Sequence, residues 1–334
     1  DKEGGHGSVD MYKSIVESCD TYYYTLARDM GVDLMHDQMK PLGFGQITGI
    51  DILGESRGVL PSTEWKRTTY KKPEQQRWYS GETISLGIGQ GYNNFTMLQI
   101  AHAMGTVANN GLKMKPHLVR EVVDVETKAS TFVAKEPVGQ LPLLPENLEV
   151  IKKGMVGVNI EGTSATSFIG AQYVSAGKTG TAQVFTVKQN EKYNAATIDE
   201  RMRDHALFVA FAPADDPKVA LAMVVENAGF GAQNAAPIAR RVFDFVIMGQ
   251  YPSQEDIEAV QKGQATRPIG KPRPVASVPW PPKAAELAVE EPIAAASAAE
   301  KAASAAAKPA SAAAKPASGT SPVVLAKPVV SGTR

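Results

Sequence analysis

Cysteine is almost absent. Cys19 stands alone among 334 residues, which excludes an internal disulfide and leaves the redox compartment open. Long hydrophobic runs are missing as well. The longest apolar stretches, ALFVAFA at 206–212 and VALAMVV at 219–225, have strand length and fall short of the roughly 20 residues that cross a bilayer, so no segment is expected to span a membrane. Net charge is zero, with 35 basic and 35 acidic residues. That balance excludes a field that gathers DNA or anionic lipid, and nucleic acid is not an expected partner. At Asp1 there is neither an initiator methionine nor a basic and apolar leader, so any targeting signal is expected to lie outside these residues and the chain to be a fragment.

What is present suffices for a sizeable core: 35.6 kDa, 43% hydrophobic. Composition shifts near residue 250 to Ala, Lys, Pro and Ser, and AAAKPAS at 305–311 repeats at 312–318. A proline in every heptad and alanine as the only apolar residue exclude a coiled coil. Residues 251–334 therefore read as a disordered, solvated tail and 1–250 as the folded part.

Within the folded part, Ser8 is a candidate N-cap for a helix through Met11, Ile15 and Val16. The pattern breaks at Ser18-Cys19-Asp20, and a second helix over TYYYTLARDM is expected to close at Gly31. Residues 41–63 read as loop with one short strand. Apolar positions at 97, 100, 101, 104, 107 and 108 predict a buried helix stopped at Asn110-Gly111. A strand at 118–125, a helix at 145–157, strands at 173–185, 205–212 and 218–226 and a helix over 236–248 complete the reading. Helices, then turn-connected strands, then a closing helix predict an α+β fold with an antiparallel sheet flanked by helices.

One strand poses a question. VSAGKTGTAQVF at 174–185 carries a lysine between two glycines. On a strand, Lys178 and Gly180 share one face while Thr179 and Thr181 share the other. A lysine on a central strand is costly to bury unless it borders a cleft, and Gly177 and Gly180 would let another backbone approach. A strand that lines a site, offers a cation and accepts an extended peptide fits these features. An edge-strand lysine that blocks aggregation fits them equally.

Lys178-Thr179-Gly180-Thr181, with Ser18-Cys19-Asp20 upstream, resembles two of the three motifs of penicillin-recognising acyl-serine enzymes. SCDTYYYTLARDMG, LGFGQITGIDILGE, LPSTEWK, IGQGYNNFTMLQIAHAMGTVANNG, AGKTGTAQV and RDHALFVAFAP narrow the resemblance. Over residues 5–248 the chain is similar to the transpeptidase domain of class B penicillin-binding proteins of the elongation type. The resemblance implies a transpeptidase or β-lactamase-like fold truncated on its N-terminal side, and acyl transfer from the D-Ala-D-Ala end of a peptidoglycan stem peptide, with β-lactams as donor mimics. It also implies a membrane glycosyltransferase partner of the elongation machinery, and a place at the periplasmic face of the inner membrane through an anchor absent from this chain. Ser18 would relay a proton assisted by Lys178, and Asp20 would orient the substrate amide or the lysine. Thr179, Gly180 and Thr181 would hold the substrate carboxylate, the Thr181 N–H giving half an oxyanion hole worth a factor of about 100 to 1000.

The nucleophile motif Ser-x-x-Lys should lie well upstream of Ser18, and only seventeen residues precede it. The one string that spells it, Ser175-Ala-Gly-Lys178, falls on a strand, where an odd spacing sends the two side chains to opposite faces. Losing the nucleophile costs on the order of a million-fold, so this chain alone is expected to be inactive. A non-catalytic remnant, or a module that binds wall peptide or a partner, is the alternative. A β-lactamase fits less well, since a compact one needs neither the long 41–80 stretch nor the tail. No cofactor is expected beyond a candidate structural zinc at His6 and Cys19 with upstream carboxylates, set against a buried thiol beside a surface histidine. GIGQG at 87–91 has the wrong spacing for a dinucleotide fingerprint and lacks a βαβ setting. Tyr22-Tyr23-Tyr24 reads either as a ligand platform or as the packing of a helix end.

Overall fold

The computed structural model describes residues 4–184, 198–264 and 266–278. Asp10 rather than Ser8 caps the first helix, because its carboxylate reaches the Lys13 amide at 2.8 Å; α1 then runs Met11–Val16. Ser18 turns the chain with a φ of 54°, and α2 covers Asp20–Met39. Gly31 breaks α2 at φ 74°, ψ 160°, but the helix resumes with a buried Val32 and reaches Met39, past the expected stop. Gly31 marks an interruption, not an end.

The next segment holds α3 (Thr63–Thr69), α4 (Pro73–Gln76), α5 (Ser80–Leu86) and α6 (Met97–Ala108). Ser62 and Thr96 cap α3 and α6 by accepting the amides of Trp65 and Gln99. Lys66, 3% exposed, sits beside the rings of Trp78, Tyr79 and Tyr92 and bonds Glu82, which ties α3 to α5. The strand expected within 41–63 is reduced to a single bridge between Val59 and Asn94. In α6 the buried positions are Gln99, Ala103, Thr106 and Ala108, so polar residues share the face expected to be apolar. Gln99 is accommodated because its amide donates to the carbonyls of Gln46 and Arg57 at 2.6 and 2.7 Å.

Four short strands follow: β1 (Leu112–Met114), β2 (Glu121–Val123), β3 (Ser130–Phe132) and β4 (Pro137–Gln140), paired antiparallel as β1 with β4 and β2 with β3. Then come α7 (Pro145–Ile160), α8 (Ala165–Phe168) and the central sheet of β5 (Ala176–Ala182), β6 (His205–Ala212) and β7 (Val219–Val225). Its order is β5-β6-β7, antiparallel throughout, and among the described residues β5 is paired on one side only. Residue 185, the expected end of β5, lies outside the described residues. After α9 (Gly231–Asn234), α10 (Ala236–Met248) closes over the sheet.

Strand periodicity sorts the core. Ala206, Phe208, Ala210 and Ala212 of β6 face Ala236, Ala239 and Phe243 of α10, all fully buried. Phe211 and Ala176 face the other way, against Ile15 of α1, Ala108 of α6 and Met155 and Val158 of α7. Helices thus cover both faces of the antiparallel sheet, the α+β arrangement expected from the sequence. Among the described residues no helix is long and apolar enough to cross a membrane.

The boundary expected at residue 250 is displaced. β8 (Gln250–Tyr251), α11 (Gln254–Gln261) and β9 (Arg273–Pro274) continue the same unit to Val278. A buried ion pair holds them, Arg241 Nε to Asp256 Oδ2 at 2.8 Å and Arg241 Nη2 to Asp256 Oδ1 at 2.6 Å. Apolar content alone missed this segment because a charge pair anchors it. From residue 279 on, the expected tail lies outside the described residues.

Candidate active site

Ala176 packs into the core under α1 and α7, and two residues further along the same face β5 carries Lys178. Its ammonium donates a hydrogen bond to Ser18 Oγ and another to the Thr179 carbonyl at 3.0 Å. Ser18 is half-buried at the end of α1, and its positive φ is one that a non-glycine residue adopts only under tertiary constraint. Asp20, the first residue of α2, lies close enough to act on Lys178 electrostatically. Burial pushes the Lys178 ammonium down to about 8, while the Asp20 charge pulls the other way. An ammonium of that pKa, hydrogen-bonded to a serine hydroxyl, has the geometry that a proton relay near neutral pH requires.

Thr179 and Thr181 alternate with the lysine. Thr179 Oγ1 lies 2.9 Å from Thr163 Oγ1, and the Thr181 carbonyl accepts Gln90 Nε2 at 3.3 Å. A Cβ on Gly180 would meet only the Leu207 side chain, at 3.3 Å, so no backbone packs against its open side; the close approach here is made by Gly231 of α9, where a Cβ would fall 2.5 Å from the Gly180 carbonyl oxygen. Gly177 differs, because its missing side chain makes room for the Phe208 ring, whose Cζ lies 2.5 Å from where a Cβ would stand, and for the Asn159 amide. It serves the core and not a visiting peptide. Lys178, Gly180 and the two threonines thus follow one another along β5, which among the described residues pairs with β6 alone, so that a cation, hydroxyls and strand carbonyls lie along one strand.

Ser175 has no place in that row. It is 3% exposed and accepts Asn159 Nδ2 at 2.8 Å, as a core hydroxyl does. The candidate zinc pair is not assembled either. Cys19 is buried, His6 Nε2 faces Glu17 Oε2 at 3.5 Å, and among the described residues no three His, Cys, Asp or Glu side chains stand close enough to hold an ion; Asp1 and Glu3 lie outside them. Of the tyrosines, Tyr23 bonds Ser14 at 3.1 Å and meets Tyr22 edge to face, so it packs the helix junction. Gln90 and Thr163 were not singled out from the sequence. Gln90 sits in the GIGQG string, weighed there only for dinucleotide binding, and no local signal marks Thr163, whose partner lies on another element.

Residues 1–244 match the family model described as the penicillin binding protein transpeptidase domain. The peptidoglycan D,D-transpeptidase MrdA of Haemophilus influenzae is 43% identical over 263 residues, which are 76% of this chain and 39% of that protein. MrdA of Acinetobacter baumannii is 42% identical over 250 residues, 74% of this chain and 36% of that protein. The chain therefore spans well under half the length of these relatives. Among solved structures, Pseudomonas aeruginosa PBP2 aligns with a TM-score of 0.60 at 38% identity, over 72% of this chain and 48% of that one. Helicobacter pylori PBP2 in complex with MreC aligns at 0.58 and 28%, over 73% and 41%. The antiparallel sheet between helices is the transpeptidase fold, and the chain belongs to the penicillin-binding protein transpeptidase family, with peptidoglycan D,D-transpeptidases of the penicillin-binding protein 2 kind as its relatives.

Proposed function

We propose that this chain is the C-terminal portion of the transpeptidase domain of a peptidoglycan D,D-transpeptidase that cross-links stem peptides during elongation. The hydrogen bond from the Lys178 ammonium to Ser18 Oγ, between residues 160 positions apart, carries the reading. A serine from a Ser-x-x-Lys segment outside these 334 residues attacks the penultimate carbonyl of the D-Ala-D-Ala end. The peptide C–N bond breaks, and Ser18, with Lys178, passes a proton to the departing D-Ala amine. An amine of a second stem peptide then takes the acyl group and frees the serine. Asp20 balances the lysine charge. Thr179, Gly180 and Thr181 hold the substrate carboxylate in a groove along β5, and the Thr181 N–H supports the oxyanion. A β-lactam enters by the same route and is opened to an acyl ester.

The partners follow from that role: a membrane glycosyltransferase of the elongation machinery, at the periplasmic face of the inner membrane, with the anchor supplied from outside these residues. The Helicobacter pylori relative, solved in complex with MreC, supports a role in association with a partner protein. Two proteins under a fluorescent penicillin test the reading, the 334-residue chain and the same chain joined to an upstream Ser-x-x-Lys segment. The joined protein is expected to give a covalent band, its acylation slowed about 100-fold or more by Lys178→Ala, and the shorter chain to give none. A band from the 334-residue chain, or unimpaired acylation of the Lys178→Ala protein, overturns it.

A further inference from the structure

The turn that follows α7 is tied both to α1 and to the start of β5. On one side Glu161 accepts the Tyr12 hydroxyl of α1 at 2.5 Å, and a Cβ on Gly162 would fall 2.5 Å from the Val16 carbonyl oxygen, so the turn lies directly against the end of α1. On the other side Asn159 holds Ser175 at the entry to β5, and Ser164 donates to Asn159 Oδ1 at 2.6 Å, both in buried surroundings. Thr163 sits between these anchors. It is exposed, and its hydroxyl lies 2.9 Å from Thr179 Oγ1.

Proton counting gives this pair a direction. Each hydroxyl has one proton to donate. If Thr179 donates to Thr163, no Thr179 proton is left for an anion in the groove; if Thr163 donates to Thr179, the Thr179 proton is free to point there. An anion selects the second arrangement, and the bond that Thr163 donates polarises the hydroxyl it feeds. We propose that Thr163 is a positioning residue, its hydroxyl donating to Thr179 Oγ1 so that Thr179 turns its own proton onto the terminal carboxylate of the stem peptide. The inference rests on the acyl-transfer reading above and adds to it the residue that sets carboxylate affinity. The turn is held on α1 and β5, so Thr163 keeps its distance from Thr179 without help from the ligand.

The test is the binding of a diacetyl-lysyl-D-Ala-D-Ala peptide to the 334-residue chain, as the free acid and as the C-terminal amide, followed by NMR titration. The unmutated chain is expected to prefer the acid. Thr163→Val is expected to weaken binding of the acid about three- to tenfold and leave that of the amide unchanged, with Thr163→Ser restoring the acid. Thr163→Ala carries the same expectation should the valine variant fail to fold. An unaltered preference in Thr163→Val or Thr163→Ala overturns the inference and leaves the acyl-transfer reading standing. Equal losses for acid and amide, or no rescue by serine, make Thr163 merely structural and also overturn it. Equal binding of acid and amide by the unmutated chain overturns both.

Discussion

Lys178 is the residue on which most depends, and its environment has a thermodynamic cost. Burial lowers it from 10.5 to about 8, so between those pH values the unfolded chain binds more protons than the folded one. Stability therefore rises as pH climbs from 8 towards 10.5, and below 8 the full cost of burying the lysine is present. Lys178→Met removes that cost together with the bond to Ser18. Its melting temperature is expected to compare best with the unmutated chain below pH 8 and to fall behind as pH approaches 10. A gap that is constant with pH would show that the ammonium is not desolvated. Gly177 offers a second test at this scale. Gly177→Ala forces a methyl against Phe208 and Asn159 and is expected to lower stability by about 1–3 kcal/mol in urea titration, whereas Gly139→Ala, which meets nothing within 4 Å, is the unstrained comparison.

Among the elements, β6 and β7 were legible because a strand covered by helices is written in short apolar runs, and ALFVAFA and VALAMVV read as such. The break at Ser18 was legible from its turn residues. The resumption of α2 after Gly31 was not, because a glycine that interrupts a helix and one that ends it look alike until Val32 finds its core. The segment after residue 250 was missed for a different reason. QEDIEAVQ has few apolar residues, and what fixes α11 is the Ser253 cap and the Asp256 carboxylate against Arg241, neither of which shows in hydrophobic periodicity. Asp256 is 1% exposed and also accepts the Ile269 amide at 3.1 Å. Asp256→Ala leaves the Arg241 charge buried without its partner and is expected to cost about 3–5 kcal/mol. A loss under about 1 kcal/mol would mean that the pair contributes little to holding this segment.

On the scale of the whole molecule, the groove depends on bringing residue 18 to residue 178, and the two motifs announced that meeting from the sequence while the turn bearing Thr163 and the Gln90 contact did not. Those contacts arise only when α5, α7 and β5 have packed together. The stretch from Gln250 to Val278 packs on α10, behind the sheet whose edge forms the groove. A chain ending at Gly249 is accordingly expected to melt below one ending at Val278, by scanning calorimetry on both. Equal melting would make the Arg241–Asp256 pair incidental to the unit. Titration of Lys178 in the folded chain, read from the NMR signal of its side-chain Cε, tests most directly whether the fold sets that lysine against Ser18. A midpoint near 8 is expected, moved by Asp20→Asn to a lower value; a midpoint at the ordinary lysine value of about 10.4, indifferent to Asp20, would contradict the groove itself.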